Sequence, residues 1–183
     1  MALALAQSLG QFGKKVLLVE GDLRRRVITD CLDENPPNGL LSVLAGDVSL
    51  ADAVARHDLV GADILVAQPS NSNPADTFSS QVFDDFLKDA REVYDVIIID
   101  TPPVLLVPDA RVLSKHADTV LFLVRWDQTT DHQVRDGLRM LDSIGAKVAG
   151  FVLTRIDTRR NRGYGNQDQY GMYGSYGQKY FQN

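Results

Sequence analysis

The stretch Lys15-Val16-Leu17-Leu18-Val19-Glu20-Gly21-Asp22-Leu23-Arg24 decides the fold. Its apolar run is continuous, not alternating. Such a run reads as a strand buried on both faces, the pattern of a parallel sheet. Four more runs share it: Ile64-Leu65-Val66-Ala67, Val96-Ile97-Ile98-Ile99, Val120-Leu121-Phe122-Leu123-Val124 and Val148-Ala149-Gly150-Phe151-Val152-Leu153. Helical stretches are expected near residues 40–56, 74–92, 108–115 and 130–144. Residues 2–12, rich in Ala, Leu and Gln, favour a helix ahead of the first strand, and Gly13 stands where a C-cap would fall. Strands alternating with helices predict βαβ units with right-handed crossovers. The expected class is α/β: three layers, a mostly parallel sheet, and helices on both faces.

A chain of 183 residues with 44% hydrophobic and 23% charged side chains has the make-up of one globular domain. A net charge of -5 and a pI near 5.1 argue against a nucleic-acid partner for the domain as a whole. The single cysteine, Cys31, allows no internal disulfide and suits a reducing compartment. No apolar run approaches the ~18 residues that a membrane span needs. The composition shifts near residue 158. The segment Arg159-Arg160-Asn161-Arg162 is basic, and Gly, Gln, Asn and Tyr follow almost to the end. We therefore expect a domain at 1–157 and a disordered tail at 158–183.

Open parallel sheets bind ligands beyond the carboxyl ends of their strands. Asp100 closes four apolar residues and precedes Thr101-Pro102-Pro103, the form of a Walker B motif. A carboxylate at a buried strand tip is placed to hold the water shell of Mg²⁺ on a nucleotide. Alone it equally suits an acid that opens a proline turn. Glu20 and Asp22 follow another strand, two residues apart, and point the same way if the chain stays extended. They suit a metal shell or proton abstraction, or else a charged loop balanced by Arg24, Arg25 and Arg26. Two strand tips delivering acids to one edge favour the functional reading.

A phosphate cradle of the form G-x-x-x-x-G-K-[ST] occurs nowhere in the sequence. Gly13-Lys14 lacks the following Ser or Thr and leads into a strand. Such a cradle lies between a strand and a helix N-terminus, so the expectation is that strand, loop and first helical turn lie upstream. His57, His116 and His132 lack metal-ligand spacing and read as surface or packing histidines. The tail holds Tyr164, Tyr170, Tyr173, Tyr176 and Tyr180. They read as phosphorylation targets beside a phosphoryl-transfer edge, and otherwise as a sticky low-complexity segment.

The segment from Lys14 to Arg25 resembles the Walker A′ motif of bacterial tyrosine kinases of capsule and exopolysaccharide synthesis, and Ile97 to Val104 resembles their Walker B. Asn73-Pro74-Ala75, Pro108-Asp109-Ala110, Ala117-Asp118, Val124-Arg125, Thr129-Thr130, Gly150 to Leu153 and the tyrosine cluster extend the likeness over essentially the whole chain. The resemblance implies a P-loop domain that binds ATP and Mg²⁺ and phosphorylates C-terminal tyrosines of neighbouring copies. It implies a membrane-embedded polysaccharide chain-length regulator as partner, fused or separate, and a cytoplasmic place at the inner face of the plasma membrane. It assigns Glu20, Asp22 and Asp100 to catalysis, Asp22 and Asp100 to the metal, and Arg24, Thr154 and Arg155 to the nucleotide. The family has Asp where Glu20 stands, and often Asn near Thr154. Two alternatives stand beside the kinase: a non-enzymatic module that docks to kinase subunits and offers tyrosines, and a partitioning-type ATPase of the same superfamily.

Overall fold

The computed structural model describes residues 1–32, 36–57, 60–70 and 72–157. The tail and its five tyrosines lie outside the described residues. The strands are β1 (Val16–Glu20), β2 (Ala55–His57), β3 (Ala62–Leu65), β4 (Val96–Asp100), β5 (Val120–Arg125) and β6 (Val148–Thr154). The helices are α1 (Ala2–Gln11), α2 (Val27–Cys31), α3 (Leu40–Leu44), α4 (Leu50–Ala53), α5 (Pro74–Phe78), α6 (Gln81–Val93), α7 (Asp109–Ser114) and α8 (Asp131–Asp142).

Every residue of β1 is buried, as its unbroken apolar run requires. It lies between β3 and β4, parallel to both, and its last residue, Glu20, is in register with Asp100. Side chains alternate along β1. Leu17 and Val19 pack with Phe78, Phe83 and Phe86 from α5 and α6, while Val16 and Leu18 pack with Ala6 of α1 and Ile28 of α2. Helices thus cover both faces. Full burial of a Leu or Phe side chain stabilises by about 1.5–3 kcal/mol, so these two layers hold the sheet together. The strand β2 was not foreseen; it is three residues long and pairs antiparallel with β3 at the edge.

Two expected helices are broken. The stretch 40–56 divides because Gly46 takes φ +78°, which ends α3, and Ser49 then caps α4 by accepting from the Asp52 amide. The stretch 74–92 divides at Ser79 and Ser80, with Ser80 accepting from the Phe83 amide to start α6. The helix α8 begins with a capping box, Thr130 and Gln133 each bonding the other's backbone amide.

The remaining strands, β5 and β6, form their own parallel pair. Among the described residues no ladder joins β4 to β5. One face of the pair meets α8, where Gly137 lets the helix approach the Phe122 ring so closely that a Cβ would lie 2.7 Å from it. Leu121 and Leu123 alternate to the opposite face and are each 46% exposed.

Candidate active site at the carboxyl edge

The parallel pairing of β1 and β4 brings their carboxyl ends side by side. Gly21 leaves β1 by donating its amide to the Asp100 carbonyl at 2.7 Å. A Cβ at Gly21 would lie 2.6 Å from that carbonyl oxygen, so only glycine allows this approach. Asp22 follows and is nearly buried. Its Oδ1 accepts from the Arg24 and Arg25 amides at 3.1 and 2.9 Å, which closes the turn toward α2.

Asp100 is half-buried. Burial raises its pKa above the usual carboxylate value, and the charges of Glu20 and Asp22 push the same way. The ammonium of Met1, at the start of α1, opposes them. The helix α1 lies against β1 and β4. The acids Glu20, Asp22 and Asp100 thus stand at the ends of two paired strands.

Glu20 differs from the other two acids. It is fully buried, and four donors converge on its carboxylate. Arg24 pairs with an acid from a distant helix. Its Nε donates to Oδ2 of the fully buried Asp109 at 2.9 Å. This pair ties the loop after β1 to the first turn of α7 and holds the Arg24 pKa above its usual value. Thr154 ends β6 and donates its hydroxyl to the Val124 carbonyl at 3.3 Å. Arg155 follows in a left-handed conformation, φ +56°, beside a shallow depression that Arg125, Trp126 and Asp127 also line. Thr154 and Arg155 thus sit at the tips of β5 and β6, separate from the acids at the tips of β1 and β4.

Asp109 and Thr29 were not singled out in the sequence. Asp109 stands in the quoted Pro-Asp-Ala string, but its partner is 85 residues away. Of the histidines, His116 bridges Asp84 and the Phe78 carbonyl, a packing role.

Among the described residues no three His, Cys, Asp or Glu side chains gather as a metal cage. Mg²⁺ commonly takes one or two carboxylates and completes its shell with water and substrate phosphate. Asp22 and Asp100 would supply two such carboxylates at adjacent strand ends, Asp22 through Oδ2 because its Oδ1 is held by two amides. When bound, the ion would neutralise phosphate charge and orient the transferring group.

A parallel sheet wrapped by helices, with acids at the tips of two adjacent strands, defines a nucleotide-phosphate-handling α/β domain. The AAA domain family matches residues 1–148. The tyrosine-protein kinase YwqD of Bacillus subtilis is 30% identical over 171 residues, 93% of this chain and 70% of that protein. The tyrosine-protein kinase Wzc of Salmonella typhimurium is 34% identical over 92% of this chain. That alignment spans only 23% of Wzc. The crystal structure of the VpsO kinase domain superposes with a TM-score of 0.80 at 35% identity, covering 85% of this chain and 77% of that one. A cobyrinic acid a,c-diamide synthase from Mycobacterium smegmatis, solved with an ATP analogue and magnesium, superposes at 0.70 with 25% identity, covering 87% and 70%. The chain belongs to the bacterial tyrosine-protein kinase family, within the AAA domain family. Among the described residues no helix is long and apolar enough to cross a membrane.

Proposed function

We propose that this chain is the catalytic-domain portion of an ATP- and Mg²⁺-dependent bacterial tyrosine kinase that acts in exopolysaccharide or capsule synthesis and export. The observation that carries this reading is the register of Glu20 with Asp100, which brings Asp22 and Asp100 to one edge of the sheet. In this reading Asp22 and Asp100 hold the Mg²⁺ shell, and Thr154 and Arg155 border the nucleotide. The phosphate acceptors are Tyr164, Tyr170, Tyr173, Tyr176 and Tyr180, offered to a neighbouring copy. A membrane-embedded chain-length regulator is the partner, and the inner face of the plasma membrane is the place of action.

The open edges of β4 and β5 support a further part of the proposal. Residues 1–157 form a P-loop domain whose Walker A strand and loop come from sequence ahead of α1. A parallel strand between β4 and β5 would join the two ladders and deliver its loop to the start of α1, beside Asp100. The absence of a G-x-x-x-x-G-K-[ST] string favours a second reading for the chain acting alone: a module that docks to complete kinase subunits and offers its tyrosines. Intact-mass analysis after incubation with MgATP, followed by peptide mapping, separates the two. Phosphate on the tail tyrosines of the chain alone supports catalysis. Phosphate only after a complete kinase is added supports the docking role, and none in either case contradicts both.

A further inference from the structure

We propose that Glu20 is a positioning residue that fastens the loop carrying Asp22, and that it is not the group that takes a proton from an incoming hydroxyl. The catalytic half of this statement rests on the kinase reading above; the structural half does not.

The carboxylate of Glu20 has no free side. Oε1 accepts from the Ile28 amide at 2.6 Å and from the Thr29 amide at 3.1 Å. Oε2 accepts from the Ala67 amide at 2.9 Å and from the Thr29 hydroxyl. The side chain is 0% exposed. A general base needs a lone pair within hydrogen-bond reach of the proton it abstracts. Here the lone pairs are directed at α2 and at the end of β3.

The consequence is a closed ring of chain. Residues 20 to 29 leave β1 and return to it through the bonds from Ile28 and Thr29 to Glu20. Inside the ring, Asp22 is pinned by the Arg24 and Arg25 amides. The Ala67 bond ties the ring to β3, and the Arg24–Asp109 pair ties it to α7. Charge-assisted bonds from backbone amides are about twice as strong as neutral ones, so one carboxylate can hold three segments. Asp22, held on this ring, and Asp100, half-buried at the tip of β4, remain as the other two acids.

Side-chain length gives a discriminating test. Glu20→Asp keeps a carboxylate but withdraws it by about 1.5 Å, one carbon–carbon bond, too far to serve both α2 and Ala67. Glu20→Gln keeps the length and the Oε1 acceptor but sets an NH₂ group against the Ala67 amide. Positioning therefore ranks Glu20→Asp as the worse change, whereas a proton-accepting role ranks Glu20→Gln as the worse. Thr29→Val, which removes only the hydroxyl donor, is the milder control should either variant fold poorly.

Amide hydrogen exchange on the full chain reads the fastening directly. We expect Glu20→Asp to speed exchange tenfold or more at Ile28, Thr29 and Ala67, and also at Arg24 and Arg25. Glu20→Gln should do so mainly at Ala67, and Thr29→Val about two- to threefold at Thr29. Unchanged exchange at Arg24 and Arg25 in both Glu20 variants overturns the proposal. Tyrosine phosphorylation, measured where the wild type shows it, reads the other half. A larger kcat loss in Glu20→Asp than in Glu20→Gln supports positioning. A loss above about a hundredfold in Glu20→Gln alone, with Glu20→Asp close to wild type, makes Glu20 the base. A wild-type chain that yields no phosphotyrosine refutes the kinase reading for the chain alone, and the exchange ranking still decides the role of Glu20.

Discussion

The two ladders of this sheet are built from similar sequences and have opposite surroundings. Around β1, apolar side chains are covered on both faces, β4 beside it is half-buried along its length, and the tips of the two strands carry buried or half-buried acids. In the β5–β6 pair, equally apolar strands keep Leu121, Leu123, Phe151 and Leu153 about half exposed. The first region is finished by its own helices. Among the described residues, the second is covered by α8 on one face. An apolar run therefore reports that a strand is suited to burial, while the neighbours decide whether it is buried. Acids follow the strands in both regions, Asp22 and Asp100 in the first and Asp127 and Asp157 in the second, and only the first set is buried or half-buried.

The largest expected effect lies in the well-packed region. Asp100→Ala should abolish tyrosine phosphorylation wherever the wild type shows it, a loss above about a thousandfold for a group that supports the metal, measured by phosphotyrosine mapping. Undiminished phosphorylation would remove Asp100 from the site. Next, Leu17→Ala should cost about 2–5 kcal/mol of stability, as deletions from filled cores do. Leu123→Ala, in the open ladder, should cost less than about 1 kcal/mol. Equal costs in chemical denaturation would erase the contrast between the two regions.

Asp109→Ala should lower the Tm by several degrees, because it strands Arg24 and frees the loop after β1 from α7. It should also weaken Mg-nucleotide binding. A Tm change without a binding change would confine the pair to stability. The smallest effect concerns pH. The Asp100 pKa is raised in the folded protein, so the folded state holds its proton more tightly than the unfolded state does. Its contribution to stability is thus lost as pH rises from the ordinary aspartate range through the raised value. Asp100→Asn should remove that loss and raise the Tm at pH 7 by about 2–4 °C, with little gain near pH 3. A lower Tm at pH 7 would contradict the electrostatic account.

Much of this was legible in the residues. The five apolar runs lie on β1, β3, β4, β5 and β6, and the parallel α/β class follows from their alternation with helices. Asp22 and Asp100 could be placed at one edge because a strand tip fixes where the next residue goes. Other features were not legible, for identifiable reasons. The short strand β2 has no apolar run; its Ala-Arg-His sequence becomes a strand by pairing with β3. The breaks in the helices at 40–56 and 74–92 rest on Gly46, Ser49, Ser79 and Ser80, whose capping roles compete with helix continuation. The setting of Glu20 depends on Thr29 and Ala67, and that of Arg24 on Asp109, contacts that bridge up to 85 residues and leave no local pattern. Glu20 and Asp22 look alike in sequence, as two acids flanking a glycine, yet only packing separates one enclosed by donors on both oxygens from one held through a single oxygen by its own loop.

The most direct test of the central claim is where a divalent cation with nucleotide settles. Mn²⁺ can replace Mg²⁺ with ADP, and paramagnetic broadening of assigned amide signals then reports distance from the ion. The account predicts that Gly21, Asp22, Leu23 and Thr101 broaden first. It predicts that Asp100→Asn removes the effect and that the acids of α8, Asp131, Asp136 and Asp142, remain sharp. Broadening centred on α8, or a pattern unchanged by Asp100→Asn, would contradict a cation–nucleotide site at the β1–β4 edge.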